Sequence, residues 1–384
     1  MKEESYDILI AGGGLAGLSL AYRALKAGVW KEKRILLLDR DSKSRNDRTW
    51  CFWQAGACEF EEIVHRSWPD MRVWTNEGRE IRLDASPYVY KMIRGGDFYR
   101  HALGYLAQQP QVHFVQAEIR SIRQSESLCF AETPDALYSG RYLFSSLYQK
   151  PALAVHHQYF LQHFKGIVIR PSQMPLPEDA MYLMDFRANQ SQGTAFFYTL
   201  PMGEGRLFVE YTLFSKSLLA EGEYDAALAE YISQVLGISA HEVLEEEFGI
   251  IPMTDYPFSR REGRILHLGS AGGDTRASSG YTFTNVQRTI GRILDALRAG
   301  REPWEFEEAL RPRHHLMDRT LLNVLDQGRY PGHEIFSDLY VRTPAPILFR
   351  FLDGASSLPE DLRVMSSVRW TEFIKPFAGA LLKG

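Results

Sequence analysis

Gly12, Gly14 and Gly17 stand in a G-x-G-x-x-G frame between the apolar run Tyr6-Asp7-Ile8-Leu9-Ile10 and the helically spaced Leu18, Ala21, Tyr22 and Leu25. In such a frame the first glycine permits a tight turn and the second lets backbone approach a pyrophosphate. The third lets the helix pack closely on the preceding strand. Leu15 and Ala16 fall in the first helical turn, where unpaired backbone N–H groups and the helix dipole favour negative charge. A second apolar strand, Arg34-Ile35-Leu36-Leu37-Leu38, ends at Asp39, where a carboxylate can accept hydrogen bonds from an adenosine ribose. Strand, turn, helix and acid in this order predict a bound dinucleotide.

A different chemistry sits in the middle of the chain. In Arg206-Leu207-Phe208-Val209-Glu210-Tyr211-Thr212 a single carboxyl, Glu210, lies among apolar and aromatic neighbours. Buried there, it would lose hydration, its pKa would rise, and it would keep its proton at neutral pH. The two-residue period of a strand puts Phe208 and Glu210 on one face and Val209 and Tyr211 on the other. The residue types alone also allow an exposed strand glutamate paired with an arginine. Just past the second strand, Arg48 precedes Trp50 and Trp53. Arg48 could reach cofactor phosphates and the tryptophans could wall a pocket; a buried aromatic cluster beside a surface arginine fits the same residues.

The elements that must position these groups follow from pattern and length. At 384 residues the chain exceeds one ordinary core. Residues 1–71 read as the first part of the nucleotide domain and 72–90 as strands of a second domain. The helix and strands of 91–150 return to the first. Residues 151–255 read as an antiparallel sheet, with strand-like runs such as Tyr182-Leu183-Met184-Asp185-Phe186 and Thr194-Ala195-Phe196-Phe197-Tyr198 joined by turn residues. Residues 256–300 bring a second strand, glycine turn and helix, with Gly272, Gly273 and Gly280 in the turn. Residues 301–384 read as helices punctuated by Pro312, Pro331, Pro344, Pro346, Pro359 and Pro376. Arg94, Arg100, Arg120 and Arg123 read as a solvated basic face, and the acidic run of residues 242–247 as a solvated helix face.

Composition narrows the classes. Hydrophobic content of 45% with 24% charged residues is globular, and a net charge of −4 gives no case for nucleic acid. Cys51, Cys58 and Cys129 have no metal-ligand spacing, and the adjacent pairs His156-His157 and His314-His315 diverge on a strand, so no metal is expected. The thiols read as reduced and cytosolic. The first strand leaves no room for a signal peptide, and no apolar run reaches the roughly 18 residues of a membrane span.

Asp47-Arg48-Thr49-Trp50-Cys51-Phe52-Trp53, Phe208-Val209-Glu210-Tyr211-Thr212, and the stretch from Ala271-Gly272-Gly273 through Ser278-Ser279-Gly280-Tyr281 occur in that order. They resemble the D-R-T-W-C-F-W, F-L-E-E-T and A-G-…-P-S-T-G-Y motifs of carotenoid lycopene cyclases, a resemblance covering roughly residues 5–300. It implies an α/β fold: a Rossmann-like FAD-binding domain of the FAD-dependent monooxygenase and prenyl-reductase type, with an inserted antiparallel-sheet substrate domain and C-terminal helices. It also implies FAD in reduced form, with NADPH as electron source, and cyclisation of the linear end groups of lycopene to β-ionone rings without net redox change. The substrate implies peripheral contact with the cytoplasmic face of a membrane. By the motif match Glu210 is the acid/base, and Gly12, Gly14, Leu15, Ala16, Gly17, Asp39, Arg48, Gly272, Gly273 and Gly280 hold FAD. Trp50, Trp53, Asp185, Tyr198 and Tyr211 are expected around the substrate, with the aromatic faces of Tyr198, Trp50 and Trp53 stabilising a carbocation. Tyr211 stands where the motif has a second acid, so a lone carboxylate serves there or Asp185 takes that part. Ser270 replaces an aspartate that related flavoproteins place on the ribityl chain. The rival reading is a flavin-dependent oxidoreductase, a prenyl reductase or hydroxylase, on the same fold.

Overall fold

The computed structural model describes residues 2–308 and 310–382. Five parallel strands form the centre of an eight-stranded sheet, in the spatial order Val112–Gln116, Ile35–Asp39, Lys2–Ala11, Ala136–Ser145 and Ile265–His267. Strands buried on both faces need continuous apolar sequence rather than alternation, and every residue from Ile35 to Leu38 is fully buried. Helices Leu15–Lys26, Gly95–Leu106 and Phe283–Arg298 cover one face, where Leu18, Phe98 and Ile290 join Ile8, Ile10 and Leu37 in one core. On the other, a hairpin of Ser121–Gln124 and Cys129–Glu132 folds over Leu9 and Leu36. This is the Rossmann-like parallel sheet that the first βαβ unit predicts, with helices on one face and a β-hairpin on the other.

A second, seven-stranded sheet runs His241–Thr254, Tyr159–Pro171, Arg206–Ser215, Thr194–Gly203, Ala180–Asp185, Asp70–Trp74 and Glu80–Arg82. Its pairs are antiparallel except that Ala180–Asp185 runs parallel to Asp70–Trp74. The pleat sorts its side chains. Tyr211 and Val209 face the helix Glu221–Glu230, in a core with Phe197, Tyr224 and Leu228. Phe196, Tyr198 and Phe208 face the other way, in a core with Leu348, Phe349 and Val364 from the C-terminal helices. Those helices are Pro312–Gln327, Gly332–Arg342, Ala345–Leu352, Leu358–Ser366 and Trp370–Leu382. They roof the face of the sheet that carries Glu210.

Several expectations need correction. Residues 72–90 divide between two sheets: Tyr88–Arg94 pairs with Thr49–Ala55 and Arg66–Trp68 in a small three-stranded sheet, while Asp70–Trp74 and Glu80–Arg82 edge the large one. The acidic run of residues 242–247 is not a helix face. It lies in the long strand His241–Thr254, whose pairing along the length of Tyr159–Pro171 overrides its weak β propensity. Most of the late prolines precede or open helices, but Pro376 lies inside the last one. Trp53 does not line the main cleft. Only 2% exposed, it stacks on Phe349 at 4.6 Å between ring centroids and leans on Tyr281 at 4.2 Å.

Trp53 thus joins the small sheet to the C-terminal helices by packing alone. Trp53→Ala should destabilise the protein by about 3–5 kcal/mol, the usual cost of deleting a large buried aromatic. Denaturant unfolding checks this, and a change under about 1 kcal/mol would show that the junction collapses around the gap.

Candidate active site

At the glycine turn, backbone geometry decides the residue types. Gly12 has φ +104°, a conformation that side chains other than glycine rarely tolerate. A Cβ on Gly17 would lie 2.0 Å from the Gly12 carbonyl oxygen, so this glycine lets the helix meet the strand. A Cβ on Gly14 would meet nothing within 4 Å and would project into open space. The helix Leu15–Lys26 begins at Gly14 with no side-chain cap, leaving its first N–H groups for another acceptor. Asp39, at the end of the next strand, accepts a hydrogen bond from the Gly13 N–H at 2.6 Å, and Lys43 Nζ lies 3.3 Å from its other oxygen.

Gly12, Gly14, Leu15, Ala16 and Asp39 line one end of a cavity of about 770 Å³. Arg48, Trp50, Ser270 and Gly280 line its length, and Tyr90, Tyr198, Phe208, Glu210 and Glu247 its inner part. A free pyrophosphate-sized approach at Gly14, an uncapped helix and a buried carboxylate at the ribose position fit an adenine dinucleotide; the polar cleft leading to an aromatic chamber fits its extended remainder.

In the chamber, side chains follow strand register. Tyr198 pairs with Glu210, Glu210 with Gly166, and Gly166 with Glu247, so one row crosses four strands on one face. Gly166 has to be glycine: a Cβ there would sit 2.6 Å from the Phe208 ring and 3.2 Å from Glu247 Cγ. The next row repeats the device, since a Cβ on Gly249 would lie 2.2 Å from the Phe164 ring. The Phe208 ring lies where the Gly166 side chain would be, and both carboxyls line the same cavity.

Glu210 accepts a hydrogen bond from the Thr212 hydroxyl at 2.7 Å, and Glu247 one from the Thr49 hydroxyl at 2.5 Å. Burial raises the Glu210 carboxyl far above the usual carboxylate range, and the neighbouring Glu247 charge adds to the rise. One hydroxyl donating to a carboxylate is worth about 1.5–3 kcal/mol, or about one to two pKa units downward. The net movement is upward, so desolvation outweighs the Thr212 bond. Glu247 is also raised by burial, but the Thr49 hydroxyl and the Arg48 and Arg94 guanidinium groups pull it back toward the charged form. Burial likewise keeps the nearby Cys51 thiol and the Tyr90, Tyr198 and Tyr281 phenols protonated.

Other expected site residues lie elsewhere. Tyr211 is on the opposite face, stacked on Phe197 at 4.9 Å, because it neighbours Glu210 in sequence and a strand alternates. Asp185 is fully buried but committed: Arg187 binds it through two nitrogens and the Tyr231 hydroxyl donates to it at 2.7 Å. It faces away from the chamber and supplies no second acid there. Gly272 and Gly273 line a separate cavity of about 330 Å³ rather than the main cleft. Gly272 must lack a side chain because a Cβ would lie 2.2 Å from the His267 carbonyl oxygen. Ser270 reaches both cavities.

Sequence reasoning missed Glu247, Thr49, Arg94 and Asp274. Arg94 is not part of a solvated face; it pairs with Glu245 beside the cavity. Asp274, buried, accepts from the Gly269 N–H at 2.7 Å, from Thr289 and from Arg260, and so braces the second glycine turn. The shared parity of Glu245 and Glu247 with the buried Gly249 was the available signal, once residues 241–254 are read as a strand.

A Rossmann-like parallel sheet with an open glycine turn, joined to a large, mostly antiparallel sheet across one deep cleft, defines the fold of FAD-dependent oxidoreductases and monooxygenases. Solved structures share it: a geranylgeranyl bacteriochlorophyll reductase-like protein of Thermoplasma acidophilum superposes with a TM-score of 0.62 at 11% identity, covering 98% of this chain and all of that one. A halogenase in complex with FAD gives 0.54 at 14% identity, over 87% of this chain and 76% of its own. The chain belongs to the lycopene cyclase family, whose model matches residues 7–378. The lycopene beta-cyclase of Pantoea ananas is 26% identical over 388 residues, 94% of each chain. The chloroplastic neoxanthin synthase of Solanum tuberosum is 24% identical over 322 residues, 77% of this chain; the match spans only 61% of that longer protein. Among the described residues no cluster of His, Cys, Asp and Glu is placed to hold a metal.

Gly14→Val should place two methyl groups in the space the pyrophosphate needs. The purified variant is expected to lose its flavin absorbance while keeping its far-ultraviolet circular dichroism. A full flavin spectrum would move the cofactor away from this turn.

Proposed function

We propose that this chain is a lycopene beta-cyclase that converts the linear end groups of lycopene to β-ionone rings, giving γ-carotene and then β-carotene, with FAD in the main cleft. The observation that carries this reading is Glu210: a buried carboxyl, held protonated, opening on an aromatic chamber continuous with the dinucleotide cleft. Protonating an alkene at neutral pH needs an acid that still holds its proton, in a place where water cannot compete, and burial supplies both conditions. Glu210 places its proton on the terminal double bond of the end group. A second double bond of the same end group attacks the resulting cation, closing a six-membered ring. Loss of a proton beside the new cation restores a double bond, so protons balance and no electrons are lost. The Tyr90, Tyr198 and Tyr281 ring faces stabilise the cation and exclude water that would quench it. When bound in reduced form, with NADPH as electron source, FAD adds negative charge beside the cation.

Delivery of so apolar a substrate supports a peripheral position on the cytoplasmic face of a membrane. No helix among the described residues is long and apolar enough to span one. Two helices that roof the chamber do, however, expose Leu358, Leu362, Met365, Trp370 and Ile374, at helical spacing. Their inner faces pack on the core through Val364 and Phe373. The double substitution Leu362→Glu and Trp370→Glu should strongly reduce co-flotation with lipid vesicles and leave flavin content unchanged. Undiminished flotation would place the contact elsewhere.

Glu210→Gln keeps volume and hydrogen bonding but removes the acid. In a lycopene-producing host it should lower pigment conversion by about 10²–10⁴-fold with FAD retained. Near-normal β-carotene would move the acid elsewhere. Stoichiometric consumption of NADPH with product would instead identify a flavin oxidoreductase.

A further inference from the structure

The seven-stranded sheet brings two carboxyls to one wall of one cavity, and it treats them differently. Glu210 has one hydroxyl donor, Thr212, and otherwise lies among Phe208, Tyr198 and the chamber aromatics. Glu247 stands two strands away across Gly166, on the edge strand. The strand Thr49–Ala55 faces it with the Thr49 hydroxyl and the Cys51 thiol, and the loop before that strand with Asp47 and Arg48. From the strand Tyr88–Arg94 comes Arg94, paired with Glu245 of Glu247's own strand. Each carboxyl therefore has one hydroxyl donor, but one sits among aromatic rings and the other has two guanidinium groups nearby.

We propose that Glu210 and Glu247 form a carboxyl pair that shares a single proton, with Glu247 as the ionised member that holds the proton on Glu210. Two carboxyls on a common low-dielectric space cannot both ionise without large repulsion. The environments then decide which one does: each carboxyl has one hydroxyl donor, so the charge goes to the one with guanidinium groups nearby and the proton to the one among aromatic rings. Both carboxyls have raised proton affinity through burial, and the Glu247 charge adds to the rise at Glu210, the sense this arrangement requires. Glu247 is thus a positioning residue that acts through Glu210. The inference rests on the cyclase reading only for its consequence in turnover. Glu210 gives its proton to the end group and becomes a carboxylate; the proton the ring later releases returns to the pair, leaving it as it began.

Infrared titration of the flavin-loaded protein tests the pair without reference to activity. The protonated-carboxyl band that disappears in Glu210→Gln reports Glu210. In Glu247→Gln the repulsion is gone, so the midpoint at which this band vanishes should fall by about one pH unit or more. In Glu247→Asp, which restores the charge, it should move back toward the wild-type value. If the chain cyclises lycopene, the alkaline limb of the activity profile should move to lower pH with the band. Thr49→Val provides a second route that leaves both acids in place. Losing the donor that favours ionised Glu247, the pair should release its first proton at a higher pH than wild type. A Glu210 band whose midpoint is unchanged or raised in Glu247→Gln would overturn the pair, and so would an unshifted first ionisation in Thr49→Val. Absence of cyclisation in the wild-type protein, with the band shifting as expected, would overturn the proposed function and leave the pair standing.

Discussion

The structure around the chamber depends on keeping one carboxyl out of water. An isolated carboxylate in an apolar interior is so costly that the group takes up a proton instead, and the sheet uses that cost. Glu210 lies in a strand whose neighbours on its own face are Phe208 and Thr212, and the C-terminal helices seal the layer above it. The Thr212 hydroxyl is too weak a donor to restore the anion against this burial. Every element that roofs the chamber, including the stacked Trp53 and Phe349, therefore also bears on the acid strength of one group.

The same sheet explains why glycine is needed where strand propensity would disfavour it. Gly166 and Gly249 lie in adjacent strands on the chamber side, each where a Cβ would collide with a phenylalanine ring. Glycine in a strand interior costs backbone entropy and gives no packing. Here it lets the Phe208 and Phe164 rings lie across the sheet beside Glu210 and Glu247. The nucleotide turn uses glycine differently: Gly12 for its positive φ, Gly17 for close packing and Gly14 for space left open toward a ligand.

Much of this was legible in the sequence because local pattern and burial agree in the first βαβ unit. A strand buried on both faces writes itself as Ile35-Leu36-Leu37-Leu38, and the G-x-G-x-x-G turn has little room for other meanings. Glu210 was legible through its place in the Phe208-Val209-Glu210-Tyr211-Thr212 motif, since its apolar neighbours alone also allowed an exposed strand glutamate. Its partner was not. Three consecutive glutamates at residues 245–247 look solvated, and only pairing with Tyr159–Pro171 shows that Glu246 turns outward toward Lys165 while Glu245 and Glu247 turn inward. Asp185 misled for the converse reason: an acid in an apolar strand looks available until Arg187 and Tyr231 are found on it.

Asp185 and Glu247 together show how burial alone fails to separate a carboxyl that lines the chamber from a structural one. Asp185 is the more buried, yet a two-nitrogen contact from Arg187 and a phenol donor satisfy its charge, and it lines no cavity. Glu247 is partly exposed to the chamber and has one hydroxyl donor, with guanidinium groups near but not in contact through the hydrogen bonds of its carboxyl. A carboxyl with its lone pairs filled by fixed donors has nothing left with which to exchange a proton. One at the edge of a dry cavity, with cations near but not bound to it, projects its charge onto any acid that shares the space. On that criterion the acid missing from position 211 is replaced in space, not in sequence. The strand that carries Glu247 lies on the far side of Gly166, where no local motif could have placed it.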